Sequence, residues 1–167
     1  MSTSPRFYAG IGSRATPVDV QDLMRRSARA LAARGFVLRS GGAEGADQAF
    51  EAGADDLRGA KTIYRPEDDL PDWAFATVDR YHPAPERLKR WGRRLMARNA
   101  LQVLGPHGDD PVAFVLCWTP RAEGRGGTGQ ALRIAADFGI PVFDLARPSV
   151  RRRVERFLSG TGEEVSR

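Results

Sequence analysis

Apolar positions along the chain fall into short runs separated by glycine-bearing turns, and between the runs they recur at helical spacing. Phe7-Tyr8-Ala9-Gly10-Ile11 predicts a first strand, followed by a loop at 12–17. Thr16, Pro17 and Asp19 then have the order of a helix start: a capping hydroxyl, a proline at the first helical position and an acid at the third. Val20, Leu23, Met24, Ser27 and Leu31 share one face of that helix, which should run to about Arg34 and stop at Gly35. Residues 35–38 predict a second strand, 48–53 a second helix, and 60–64 a third strand closed by Pro66. Residues 65–85 mix prolines with aromatics without a clean period, and predict an ordered excursion over one edge of the sheet. Residues 85–104 predict one long helix with Leu88, Trp91, Leu95 and Ala100 toward the core. A second stripe on it, Arg87, Arg90, Arg94 and Arg98, has the spacing of a solvated face. Residues 111–118 are the most apolar stretch and suit a central parallel strand buried on both faces. A loop at 119–127, a helix at 128–138 ended by Gly139, a strand at 140–145 and a helix at 149–158 follow. Residues 159–167 read as a frayed tail.

Strands alternating with helices imply an α/β fold: a single Rossmann-like three-layer domain over residues 1–167, with a mainly parallel sheet of about five strands. Crossovers in such a sheet are right-handed. Ligands collect at the carboxyl ends of its strands, near the point where strand order reverses. Three glycine-bearing loops fall at those ends, at 10–17, 40–47 and 124–129. In the middle one, Ser40-Gly41-Gly42-Ala43-Glu44-Gly45-Ala46-Asp47, the glycines let backbone amides approach an anion, and the following helix adds its positive end. It is neither G-x-G-x-x-G nor a loop ending in G-K-[ST]. A tight strand-to-helix turn without a ligand has the same spacing.

Charge adds a weak preference. Lys and Arg number 26 against 21 Asp and Glu, a formal charge of +5, which permits phosphate-bearing ligands or nucleic acid without requiring either. Lys61 and Lys89 are the only lysines, so the basic groups are nearly all planar arginine forks that match phosphate. The single cysteine, Cys117, excludes an internal disulfide and reads as a small core hydrophobe. His82 and His107 have no cysteine partner at metal spacing, so no metal site is expected. No apolar run approaches the roughly 20 residues of a membrane span. Residues 1–5 lack the apolar region of a signal peptide, so a cytoplasmic protein without membrane partners is expected.

Tyr8-Ala9-Gly10-Ile11-Gly12-Ser13-Arg14, the glycine loop 40–47, Arg98-Asn99, and Gly126-Gly127-Thr128 with Ala131 and Ala135 together carry a family resemblance. Over residues 6–145 the chain resembles the SLOG superfamily. That group includes the DprA/Smf DNA-processing proteins, the LOG phosphoribohydrolases and the molybdenum-cofactor carriers. The likeness is greatest to small stand-alone members, phage-encoded ones among them. It implies the Rossmann-like fold, a nucleotide-type ligand and a homodimer or larger homo-oligomer. It also implies a site: Gly12, Ser13 and Arg14 around one phosphate, and Ser40, Gly41, Gly42, Glu44, Gly45 and Asp47 from the second loop. Arg98 and Asn99 would come from the long helix, and Gly126, Gly127 and Thr128 from a later helix start. Ser13 and Thr128 would serve equally well as simple helix caps.

The LOG enzymes carry a glutamate where this chain has Ala131, and their arginine lies one position from Arg98. The leading expectation is therefore a protein that binds a nucleotide or nucleotide-derived phosphate compound as sensor, carrier or sequestering protein. A LOG-like phosphoribohydrolase is one alternative, with Glu44 or Asp47 supplying the missing carboxylate beside Arg98. DprA-like binding of single-stranded DNA through the arginine stripe and the basic cluster at 151–156 is the other.

Overall fold

A computed structural model describes residues 3–160. Five strands form one parallel sheet in the order β3-β2-β1-β4-β5. They are β1 (Arg6–Gly10), β2 (Phe36–Ser40), β3 (Lys61–Ile63), β4 (Val115–Cys117) and β5 (Val142–Asp144). β1 pairs with β2 from Arg6 opposite Phe36, and with β4 through Ala9 opposite Val115. The chain winds outward from β1 first toward β3, then returns to add β4 and β5, so strand order reverses between β1 and β4.

Among the described residues six α-helices cover the two faces. The longest are α1 (Val18–Ala33) and α4 (Arg90–Leu104); the others are α2 (Ala46–Asp56), α3 (Asp72–Tyr81), α5 (Gly127–Asp137) and α6 (Pro148–Leu158). The pleat alternates side chains between two cores. Tyr8, Leu38 and Leu116 face α1, α2 and α6, where Leu23, Met24, Phe50 and Leu145 fill the layer and Val150 and Val154 pack against it. Ala9, Val115 and Cys117 face α3, α4 and α5, packing with Val78, Ala100, Val103 and Ile134. The result is the α/β three-layer architecture with five parallel strands that the alternation of runs implies.

Several boundaries differ from the sequence pattern for local reasons. Thr16 does not cap α1: its hydroxyl donates back to the carbonyl of Ser13 at 2.6 Å, and Pro17 holds the cap position. β2 extends through Arg39 and Ser40, because the Ser40 hydroxyl donates to Gly10 O at 2.5 Å within the sheet. The apolar stretch at 111–118 supplies only a three-residue strand, interior between β1 and β5 rather than central. Residues 65–85, read as an aperiodic excursion, contain α3, whose Ala74 and Val78 pack beneath α4 and α5. The long helix expected at 85–104 is broken: a 3₁₀ turn at Pro85–Arg87 precedes α4, and Leu88 between them is extended. Its arginine stripe is a solvated face only at Arg87 and Arg90, which are exposed. Arg94 donates to Pro66 O and Asp68 O at 2.6 Å each, pinning the segment before α3, and Arg98 is only 7% exposed. Trp91, expected in the core, is 51% exposed. Cys117 is buried as expected, and burial pushes its thiol well above the usual range. The tail read as frayed lies, from residue 161 onward, outside the described residues.

Candidate functional site

A pocket of about 600 Å3 opens at the carboxyl ends of β1 and β4. The loop after β1 contributes Ile11, Gly12, Ser13 and Arg14. Its course is fixed by Ser13 N–H donating to Trp118 O at 3.2 Å, and by the Ser13 hydroxyl accepting from Ala15 N–H at 3.0 Å. Ser13 is thus a local turn brace as well as a pocket residue. Gly126, Gly127 and Thr128 line the opposite side at the first turn of α5, where helix amides have no partner one turn back. Arg14 is exposed, and its side chain has no hydrogen-bond or ion-pair partner among the described residues. Arg125 stands at the rim in an ion pair with Glu123 at 3.0 Å.

The loop 40–47 enters the pocket only through Ala43 and Asp47. Ser40, Gly41, Gly42, Glu44 and Gly45 do not line it, and Glu44 points to solvent. The anion this glycine loop cradles is the protein's own Asp47. Ala43 N–H donates to its Oδ2 at 3.3 Å, and the amides of Gly12 and Gly41 also favour its charged form. Burial outweighs them and the nearby Arg98, and the Asp47 carboxyl is pushed up to about 6.

α4 supplies the remaining wall. Arg98 Nη1 donates to Gly41 O at 2.8 Å and Tyr64 O at 3.2 Å, and its Nε donates to Asn99 Oδ1 at 3.1 Å. Asn99 Nδ2 in turn donates to Gly127 O at 2.8 Å. Arg98 and Asn99 therefore tie the second glycine loop to the start of α5, and both also line the pocket. Burial lowers the pKa of Arg98, with Asp47 as the largest opposing influence. The structure brings together Gly12, Ser13, Arg14, Asp47, Arg98, Asn99, Gly126, Gly127 and Thr128, and leaves the other five expected residues behind them.

Residues not singled out by motif also line the pocket: Trp91, Leu95, Met96, Gln102, Pro120 and Arg125. Gln102 follows Arg98 by one helical turn, which is a signal for it: a polar residue on the buried face of a helix. Ala131, at the position of the LOG glutamate, is 0% exposed within the core and does not line the pocket. Asp47 is the only carboxylate among the lining residues.

A pocket at the strand ends, where the order of a parallel sheet reverses, belongs with the class the fold defines: a Rossmann-like α/β protein. No protein-family model matches the chain, and no curated protein matches it in sequence. Among solved structures it is similar to DNA processing protein A (DprA) from Helicobacter pylori, with a TM-score of 0.60 and 19% identity over 96% of this chain and 81% of that one. It is also similar to DprA from Streptococcus pneumoniae, with a TM-score of 0.55 and 21% identity over 84% of this chain. The match spans 50% of the length of that S. pneumoniae chain. The H. pylori protein binds single-stranded DNA. The likeness is one of fold: the present chain shares the Rossmann-like α/β fold of the DprA structures. Among the described residues no helix is long and apolar enough to cross a membrane.

Proposed function

We propose that the strand-end pocket binds a nucleotide unit through its phosphate. The observation that carries this reading is the convergence on one pocket of the β1 loop with Arg14, the open first turn of α5 and the buried guanidinium of Arg98. Backbone donors at a helix start and arginine forks are complementary to phosphate. The likeness to a protein that binds single-stranded DNA favours a DNA strand as the source of that unit. A pocket of about 600 Å3 supports a second reading, a free nucleotide held without turnover, because that volume is within the usual range for small-molecule sites. A hydrolase reading has Asp47 alone to draw on at this pocket, since Glu44 faces solvent and Ala131 is in the core.

Arg14 is the informative variant, because it lines the pocket and no other described side chain depends on it. Arg14→Ala is expected to weaken a phosphate-bearing ligand by about 1.5–3 kcal/mol, the value of a hydrogen bond to a charged group. The measurements are anisotropy with a labelled single-stranded oligonucleotide at two salt concentrations, and calorimetry with nucleoside monophosphates followed by assay for released base. Binding of the oligonucleotide that weakens steeply with salt identifies a DNA strand; binding of the monophosphate alone identifies a free nucleotide. Released base would move the protein to the hydrolases. Failure of both ligand classes to bind, or equal binding by Arg14→Ala, would sink the reading.

A further inference from the structure

We infer that Trp91 is the platform on which the base of the bound nucleotide stacks, an inference that rests on the nucleotide reading above and adds the base to it. Helical spacing assigns Trp91 to the core, yet its indole stands half exposed at the pocket wall beside Leu95 and Met96. Trp91, Leu95, Arg98 and Gln102 lie at i, i+4, i+7 and i+11, so one face of α4 runs along the pocket for about 16 Å. The first half of that face is apolar and the second half polar.

The polar half holds a group without a partner. Gln102 is 2% exposed, lines the pocket, and its side-chain amide has no hydrogen bond among the described residues. Its amide is at the pocket wall, where a ligand's polar atoms can bond to it. Arg14, Arg125 and the first turn of α5 line the same pocket. One enclosure thus offers an aromatic face, an apolar wall, a neutral amide and cationic donors. A nucleobase joined to a phosphorylated sugar has the complement of each: a π-face, an apolar ring body, polar ring atoms or hydroxyls, and a dianion or diester. Inorganic phosphate would leave the indole and Gln102 unused, and an acyl chain would leave the cations unused.

The test compares ligands with and without a base on the full chain. Calorimetry is run with adenosine 5′-monophosphate and ribose 5-phosphate, and anisotropy with oligothymidylate and an abasic oligomer of equal length. The wild type is expected to prefer the ligand that carries a base by about ten-fold or more in at least one pair, the scale of base–aromatic stacking. Trp91→Ala is expected to erase that preference, and Trp91→Phe to restore most of it. A preference confined to the mononucleotide assigns the site to free nucleotides, and one confined to the oligomers assigns it to a strand; either supports the platform. Equal binding of the two members of both pairs by the wild type, or a preference that survives in Trp91→Ala, overturns the platform and leaves phosphate binding standing. If none of the four ligands binds, the nucleotide reading falls and the platform with it. Because Trp91 is exposed, circular dichroism of the variants is expected to match the wild type.

Discussion

A carboxylate buried at a helix start is stabilised when amides point at it, and Asp47 has three. They do not offset its burial, and the group titrates near 6 instead of its ordinary 3.8. Between those values the unfolded chain loses its proton while the native state keeps it. Stability from this residue therefore falls as pH rises from about 4 to 6, and is constant above that. Asp47→Asn keeps an acceptor for Ala43 N–H and removes the titration. It is expected to gain on the wild type by about 2–3 kcal/mol between pH 4 and pH 7, read from paired urea midpoints. A constant difference across that window would show that Asp47 ionises normally. Gly45 is constrained differently: its φ is +85°, and an added Cβ would lie 2.8 Å from Arg14 O and 2.9 Å from Ser13 O. Backbone atoms cannot swing aside as a side chain can, so Gly45→Ala is expected to cost about 2–4 kcal/mol in urea unfolding. Arg39 is fully buried over the Phe7 ring and donates from Nη1 to Asp110 O at 2.6 Å and from Nη2 to Asp110 Oδ2 at 2.5 Å. Its partner Asp110 is 54% exposed. Removing the acid strands a buried cation, whereas removing the arginine leaves a hydrated acid. Asp110→Ala is accordingly expected to cost about 2–4 kcal/mol and Arg39→Met less than about 1.5 kcal/mol; the reverse order in thermal melts would refute this account.

Between elements, α1 and α2 approach each other closely at Gly53. A Cβ on Gly53 would stand 2.1 Å from Arg25 O and 2.7 Å from the Ala28 Cβ. Gly53→Ala gains about 1 kcal/mol of helix propensity but must push the two helices apart, so a net loss of about 1–3 kcal/mol is expected. Equal or greater stability would mean that the helices separate freely. How legible an element was depended on whether one partner fixes it. α1 buries Val20, Leu23, Met24, Ser27 and Leu31 against a single layer, and helical spacing alone names all five. α3 buries only Ala74 and Val78, while the larger Trp73, Phe75 and Tyr81 are only partly buried against the same core, so no single stripe stands out. α4 changes neighbours along its length. Its last eight residues, from Ala97 to Leu104, are all buried, while its first turns line the pocket with Trp91 and Leu95. A periodicity extended through both halves necessarily puts Trp91 in a core that ends before it.

Across the whole molecule, the placement of the candidate pocket follows from connectivity: glycine-bearing loops after parallel strands gather where strand order reverses. Its chemistry did not follow as directly. Motif spacing marks every glycine of the loop 40–47 alike, and only the folded chain distinguishes those that back the pocket from Ala43 and Asp47, which enter it. Gln102 and Trp91 were hidden because their role depends on what lies across from α4, more than twenty residues away in sequence. The two-sided pairing of β1 also bears on how the chain is made. β2, β3, α1 and α2 follow β1 directly, but α3, α4 and α5, which clothe the opposite face, begin only at Asp72. β4, the second partner of β1, begins at Val115. During synthesis, then, a half-built sheet leaves the ribosome with an open edge of β1 bare until some fifty further residues have been added beyond β3. Nascent chains arrested between β3 and β4 are the ones that chaperones of the exit tunnel should hold longest, and their release should coincide with the emergence of Cys117.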